Sequence, residues 1–283
     1  MHVLSCTIRE QLFQALKDRC TRTGESISEI VSAALAVELE LEEAPLFQVS
    51  TVTALVEGVS GGVVSIGELK LRGDFGLGTF DGLDGEMVAF DGAFWQVRGD
   101  GVVRAASDEM LAPFAVVTEF QCERAFILER VASLDDLAAQ LDQKRQTDNL
   151  FYAVRIDGVF DAMTTRSVTR TAPGTPLIEA AAGQTESDLA AVRGTLVGFW
   201  TPAYADTLNV EGWHLHFLSD DRAAGGHVLA CTGADLRVQM QDLADVRLAM
   251  PQTQAFFEAD LSQDASEELE AAERGRRSDD SDA

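Results

Sequence analysis

Three of the four histidines in this 283-residue chain fall between residues 214 and 227. His214 and His216 lie in the apolar, aromatic run WHLHFL, which predicts a β-strand with both side chains on one face. The following SDDRAAGG favours a chain reversal, so His227 at the start of HVLAC would return beside them. Three neutral imidazoles on adjacent strands could hold zinc or another divalent metal and leave a fourth position for water or substrate; the alternative is aromatic-like packing on a sheet face. If HVLAC is extended, Cys231 lies about 13 Å beyond His227 and would not share the metal.

Short β-prone runs separated by glycine turns make up the segment that must position these histidines, residues 45–259. The alternation in GEMVAFDGAFWQVRGDGVVRA predicts hairpins with turns at Asp91-Gly92 and Asp100-Gly101. LFYAVRIDGVFDAMTTRSV and GTLVGFWTP predict further strands, and residues 131–146, with Ser133 as N-cap, predict one of two helical stretches. Strands dominate without regular βα alternation, so we expect an α+β fold of mixed and antiparallel β-sheets with a few helices.

Residues 1–44 follow a different pattern. The run VLSCTI at residues 3–8 predicts a short strand. The helix predicted after it ends at Gly24. It has apolar residues every four positions on one face, at Leu12, Leu16 and Cys20. This segment therefore opens with a strand and a helix.

A second helix is predicted in ESISEIVSAALAVEL, with Ser26 as N-cap and Glu29 as its capping-box partner. Strand, helix, turn and helix within 1–44 resemble the ribbon-helix-helix module of small bacterial repressors, which pairs its strands in a dimer and places the ribbon in DNA. The outward ribbon positions carry no cation; they are Val3, Ser5 and Thr7. The segment also has eight acidic and four basic residues, so we expect it to dimerise. The alternatives are DNA binding and a helical pair that belongs to the main domain.

The composition restricts the partners of the whole chain. Forty-seven acidic and 22 basic residues give a net charge of −25, which repels nucleic acid and anionic membranes. The chain has no signal-peptide pattern and no 18-residue apolar stretch, and its four cysteines are scattered, so we expect a cytoplasmic protein. The acidic tail, residues 260–283, predicts a solvated helix that frays into disorder.

Two longer stretches resemble a known family. TPAYADTLNVEGWHLHFLSDDRAAGGHVL closely resembles the acetolactate decarboxylase family, and so does FQVSTVTALVEGVSGGVVSIGELKLRGDFGLGTFDGLDGEMVAFDGAFWQVRGDG. The resemblance covers roughly residues 46–275, in order and without large insertions. It implies a homodimeric carboxy-lyase that converts 2-acetolactate to acetoin and CO2 through a metal-stabilised enediolate. The metal, usually zinc, would be held by His214, His216 and His227.

The resemblance also implies roles for four further residues. Arg166 matches the family's active-site arginine and suits a bidentate grip on the substrate carboxylate. Glu86 matches its active-site glutamate and could deliver a proton if partial burial raises its pKa. Thr79 falls at a pocket position that could hydrogen-bond substrate, and Glu273 matches a C-terminal glutamate that folds back toward the site. Without the resemblance, Arg166 would be read as a surface ion pair and Glu86 as a solvated turn carboxylate.

Some residues depart from the family pattern. TRTAPGTPL follows RSV in place of a glutamine and a Pro-Tyr pair, and Glu211, Gly212 and Trp213 stand where Pro-Gly-Tyr is expected. These changes concern the shape of the pocket and the substrate range. Two alternatives are a cupin-like metal enzyme, which lacks support because its usual glutamate after HxH is missing, and an acetolactate-sensing DNA-binding regulator.

Overall fold

The chain divides into two compact units, residues 1–43 and 44–283. The structure, a computed structural model, describes residues 5–23, 26–38, 44–262 and 268–269. Within these ranges, no helix is long and apolar enough to cross a membrane.

The first unit contains two helices, α1 (Glu10–Thr23) and α2 (Ile27–Glu38). Both follow the sequence pattern, and the amide of Ile30 bonds the carbonyl of Ser26, as expected of a helix that starts after Ser26. The predicted strand is not confirmed: residues 5–9 are not in a strand, and Val3 lies outside the described residues. Leu12, on the predicted apolar face of α1, is 55% exposed rather than buried. The structure therefore confirms the helices of this unit but not a ribbon-helix-helix module.

The second unit is dominated by strands, as expected. Its strands in chain order are β1 (Leu46–Val49), β2 (Val64–Ser65), β3 (Phe75–Thr79), β4 (Glu86–Phe90), β5 (Ala93–Val97), β6 (Val103–Ala105), β7 (Leu111–Ala112), β8 (Ala115–Thr118), β9 (Arg124–Val131), β10 (Phe151–Ser167), β11 (Thr185–Thr201), β12 (Gly212–Ser219), β13 (Gly225–Leu243) and β14 (Val246–Ala249). Its helices are α3 (Val52–Val56), α4 (Ile66–Lys70), α5 (Leu134–Asp142), α6 (Leu177–Ala182) and α7 (Gln254–Glu258), with 3-10 turns at Asp81–Leu83 and Ala203–Ala205. The sequence predicted two helical stretches here. The additional helices are single turns of five or six residues, too short for a 3.6-residue period to show.

Two larger sheets form the framework. The first has the strand order β14-β1-β8-β3-β4-β5-β6; β1 runs parallel to β14, and the other neighbours are antiparallel. The second has the order β10-β11-β12-β13-β9, and β10 also pairs with β13. Strands β10 to β13 therefore form a closed ring. The pairing of β10 with β13 covers the edges that an open sheet would leave exposed. The mixed and antiparallel α+β fold is as predicted.

Local sequence explains several of these elements. The β4–β5 hairpin turns at Asp91 and Gly92, whose φ angles of 52° and 74° suit a type I′ turn. Helix α5 begins where Ser133 Oγ accepts a hydrogen bond from the Asp136 amide at 3.0 Å, which confirms the predicted N-cap. The helix ends at Asp142, four residues before the predicted end.

The core cluster that lies beside the pocket joins side chains of both sheets and several helices. Leu55 of α3 and Leu177 of α6 belong to it, together with Phe199 of β11. Leu269 from the acidic tail belongs to the same cluster and is 8% exposed. The expectation of a wholly solvated tail is therefore wrong at Leu269; most other residues of the tail lie outside the described ranges.

Candidate metal and substrate site

The three histidines converge, as the strand pattern predicts. His214 and His216 lie on β12 with their side chains on one face, and β13 returns so that His227 stands opposite His216 in the strand register. The reversal between the strands is held by Ser219, whose hydroxyl oxygen accepts hydrogen bonds from the amides of Ala223 and Ala224. All three imidazoles are buried.

The distances between ring nitrogens fit a single metal ion. His214 Nε2 lies 3.1 Å from His216 Nε2 and 3.1 Å from His227 Nδ1. Zinc–nitrogen bonds of about 2.0–2.1 Å in a tetrahedral site place two ligand nitrogens about 3.3 Å apart. Side-chain ligands of these three residues lie within 4.8 Å of one another. The residues present therefore fit a divalent cation that prefers imidazole.

The protonation of the triad also suits metal binding. His216 Nδ1 lies 2.8 Å from the carbonyl oxygen of Met87, so this nitrogen carries the proton and Nε2 presents a lone pair to the other rings. Burial, together with the positive charge of Arg166, lowers the pKa of His214 to about 3. His214 is therefore neutral at physiological pH, as a metal ligand must be.

Gly226 allows β13 to approach β10 beside the triad. Its φ is +132°, and a Cβ at this position would lie 2.4 Å from the carbonyl oxygen of Arg166. No residue with a side chain fits this approach without moving the backbone. The GGH sequence thus brings His227 next to Arg166, its register partner on β10.

Arg166 and Glu86 reach the site from different sheets. Arg166 lies on β10, whereas Glu86 is the first residue of β4, and both are buried. Arg166 Nη1 is 3.6 Å from Glu86 Oε1, and Glu86 Oε2 is 3.7 Å from His216 Nε2. The structure therefore places a cation, a carboxylate and the imidazole triad within one network. The alternative interpretation, a surface ion pair for Arg166 and a solvated carboxylate for Glu86, is wrong because both side chains are buried.

Thr79 also faces the pocket, but its hydroxyl proton is already used. Thr79 Oγ1 donates to the carbonyl oxygen of Gly85 at 2.8 Å, and Thr79 is the register partner of Glu86. Thr79 thus holds the turn that presents Glu86, and its oxygen can still accept a hydrogen bond from a ligand.

The pocket around these groups has two chemically different walls. The polar wall is formed by Thr79, Glu86, Arg166, His214, His216 and His227. The apolar wall is formed by Val52, Leu55, Leu83, Phe114, Val168, Leu177 and Val210. The sequence did not predict the apolar wall. Two of its residues nevertheless lie at the stretches that differ from the family pattern: Leu177 is the last residue of TRTAPGTPL, and Val210 immediately precedes Glu211.

The expectation that Cys231 would not share the metal is confirmed. Cys231 is not among the side chains that form the metal-ligand group of the described chain, and burial raises the pKa of its thiol to about 12. Glu273 lies outside the described residues. The described site therefore consists of the three histidines, Glu86, Arg166 and Thr79, enclosed by the apolar wall.

Three imidazoles, a guanidinium and a carboxylate buried together in one pocket define a candidate metalloenzyme site. Comparison with known proteins specifies which class. Residues 46–263 match the family model described as alpha-acetolactate decarboxylase. The Methanosarcina mazei alpha-acetolactate decarboxylase is 44% identical over 235 residues, which cover 81% of this chain and 80% of that protein.

Solved structures give the same result. The crystal structure of alpha-acetolactate decarboxylase from Bacillus subtilis strain 168 matches with a TM-score of 0.79 and 36% identity, covering 82% of this chain and all of that one. A Staphylococcus aureus protein described as similar to alpha-acetolactate decarboxylase matches with a TM-score of 0.77 and 33% identity, over 81% of this chain and 99% of its own. The chain belongs to the alpha-acetolactate decarboxylase family.

Proposed function

We propose that this chain is a carboxy-lyase that converts 2-acetolactate to acetoin and CO2. The observation that carries the proposal is the convergence of Arg166, Glu86 and three imidazoles in one buried pocket of a chain from this family. 2-Acetolactate carries a carboxylate, a hydroxyl and a neighbouring ketone, so each polar group of the pocket has a counterpart on the substrate.

Arg166 would bind the carboxylate that leaves as CO2. A buried guanidinium offers a planar pair of donors that match a carboxylate, and hydrogen bonds to charged groups are the stronger ones. Arg166 is held 3.6 Å from Glu86, so the carboxylate would be oriented against the polar wall of the pocket. This orientation places the bond that breaks next to the triad.

When the bond to the carboxylate breaks, its electron pair stays on the substrate and moves toward the ketone oxygen, which yields an enediolate. A divalent metal held by His214, His216 and His227 would polarise the ketone and hydroxyl oxygens and stabilise that negative charge. The three ligands are uncharged, so they leave the positive charge of the cation available. His216 keeps its orientation through its bond to Met87.

Glu86 would deliver the proton that completes the reaction. The carbon that loses CO2 must accept a proton to give acetoin, and Glu86 Oε2 lies 3.7 Å from the triad. General acid catalysis by a positioned carboxyl group contributes about 100- to 10,000-fold in rate. The apolar wall would enclose the two methyl groups of the substrate and exclude water from the enediolate.

We propose zinc as the metal, because three nitrogen ligands with a fourth open position are typical of catalytic zinc sites. The test compares His216→Ala with His2→Ala, since His2 is the one histidine outside the triad. We expect H216A to lose both bound zinc and acetoin production from 2-acetolactate, and H2A to retain both. Full activity of H216A without bound metal would overturn the proposal.

We also propose that Glu273 contributes a second carboxylate. Leu269, four residues earlier, belongs to the buried cluster that includes the pocket residues Leu55 and Leu177, which supports a return of the tail toward the pocket. Glu273→Gln should lower kcat for acetoin formation, and unchanged kinetics would dismiss this role.

For the chain as a whole, we propose a dimerisation module at 1–44, a catalytic domain at 45–259 and an acidic tail at 260–283, assembled as a cytoplasmic homodimer. Among the described side chains of the first unit, Ile30 alone is buried, whereas Leu12 is 55% exposed, so the unit offers apolar surface that pairing with a second copy would bury. Leu12→Glu should raise the dissociation constant of the dimer in analytical ultracentrifugation, and Gln11→Glu, which adds the same charge one residue earlier, should not. An unchanged dissociation constant in L12E would contradict the module.

A further inference from the structure

The sheet face opposite the triad carries a row of aromatic side chains that belong to, or pack against, a buried cluster. Tyr152 of β10, Trp200 of β11 and Trp213 of β12 are successive partners in the strand register. Trp213 immediately precedes His214, so its side chain points to the face opposite the histidine. The indole is thus one residue away from the triad but outside the pocket.

A side-chain hydrogen bond connects Trp213 to Asp142, the last residue of α5. Trp213 Nε1 donates to Asp142 Oδ1 at 2.9 Å, and Arg145 Nε donates to the same oxygen at 3.0 Å. The Arg145 guanidinium carbon lies 3.5 Å from the ring centre of Trp200 and its side chain is 8% exposed. Asp142 is therefore held in place and can hold the indole in turn.

The backbone around Trp213 needs such a restraint. Strand β12 pairs with β11 along its whole length, but its described pairing with β13 covers His216 to Leu218 only. In the strand register His214 pairs with Phe199 of β11, and the pairing with β13 begins two residues later, at His216. His214 Nε2 nevertheless makes both 3.1 Å contacts of the triad, so a small shift of this segment would change the whole ligand set.

We propose that Trp213 is a positioning residue for the metal site and acts through its hydrogen bond to Asp142. The bond restrains the first half of β12, which carries Trp213 and His214, and thereby sets where His214 presents Nε2. This inference rests on the proposed function, because it assumes that the triad binds a metal. Groups that orient a metal ligand without contacting the metal commonly contribute 10- to 100-fold to metal affinity.

The experiment measures metal binding by the full-length chain, without substrate. Trp213→Phe removes the indole donor and keeps an aromatic ring, and Asp142→Ala removes the acceptor. We expect both to weaken Zn²⁺ affinity, measured by competition with a chromophoric chelator, by about 10-fold or more. Both should also alter the visible d–d spectrum of the Co²⁺-loaded protein, which reports ligand geometry.

Two variants serve as controls. Asp142→Asn keeps an oxygen acceptor for the indole and should restore the wild-type Co²⁺ spectrum. Asp148→Ala removes the other carboxylate bonded to Arg145, 2.9 Å from Nη1, and leaves the Trp213 bond intact, so it should bind Zn²⁺ like the wild type. Thermal melts of each variant establish that it is folded before metal is added.

Wild-type Zn²⁺ affinity and an unchanged Co²⁺ spectrum in folded W213F and D142A would overturn the inference. So would an equal loss in D148A, which would point to general loosening around α5. These results would leave acetolactate turnover by the wild type, and with it the proposed function, unaffected. A wild-type chain that binds neither metal would overturn both proposals.

Discussion

The close approach of β13 to β10 at Gly226 offers a direct perturbation of the site that changes none of its chemical groups. In Gly226→Ala, the new Cβ would lie 2.4 Å from the Arg166 carbonyl oxygen and 3.0 Å from Ser167 Oγ. Heavy atoms in contact ordinarily approach to about 3.5 Å, so the two strands must separate by about 1 Å. The separation would occur between Arg166 and His227, which face each other across these strands.

Two costs add in this variant. A residue with a side chain at φ +132° is strained by about 1–3 kcal/mol, and overpacking adds about 1–3 kcal/mol. The sum, about 2–6 kcal/mol, is smaller than most of the usual range of 5–15 kcal/mol for the free energy of unfolding. A 1 Å misplacement of reacting groups costs about 100-fold in rate. We therefore expect a folded but less stable G226A variant whose kcat/KM for 2-acetolactate falls by about 100-fold.

Gly101→Ala is the matched control. Gly101 has φ +81°, but a Cβ added there would have no atom within 4 Å. The variant is therefore destabilised by backbone strain of about 1–2 kcal/mol, and no strand is displaced. Urea denaturation, zinc content and acetoin kinetics should separate the two variants. Wild-type kinetics in G226A, or an equal loss of activity in G101A, would refute the reasoning.

Three further outcomes follow from the same contacts. Arg166→Lys keeps the charge but loses the bidentate fork, so kcat/KM should fall by about 10- to 100-fold with zinc content unchanged; a variant with normal kinetics would remove Arg166 from carboxylate binding. Glu86→Gln should lower kcat by about 100-fold or more and leave the fold intact by circular dichroism, whereas undiminished kcat would require another proton donor. Raising KCl from about 0.1 to 1 M shortens the Debye length from about 10 to 3 Å. Because the net charge is −25, this screening should reduce self-repulsion and raise Tm. A flat or falling Tm would show that self-repulsion does not limit stability.

The histidine triad was accessible from sequence because its geometry is local. A two-residue spacing on a strand and a turn of Asp and Gly residues are enough to bring His214, His216 and His227 together. Short-range signals also predicted the Ser133 cap and the turn at Asp91 correctly.

The rest of the site depends on long-range packing. Glu86 begins a strand of one sheet and Arg166 ends a strand of the other, so no spacing in the sequence could place them 3.6 Å apart, and only the family resemblance indicated both. The same holds for Leu177, the first residue of α6, and Val210, which precedes β12; both line the pocket. The first half of β11, from Thr185 to Arg193, is an exposed strand without regular apolar-polar alternation, and it extends because β10 supplies a partner.

The most direct test of the account is the release of acetoin and CO2 from racemic 2-acetolactate by the purified chain, measured before chelation, after chelation and after zinc is restored. The account predicts turnover that chelation abolishes and stoichiometric zinc restores. An absence of turnover in protein that contains one zinc per chain, or turnover that survives complete removal of metal, would contradict it.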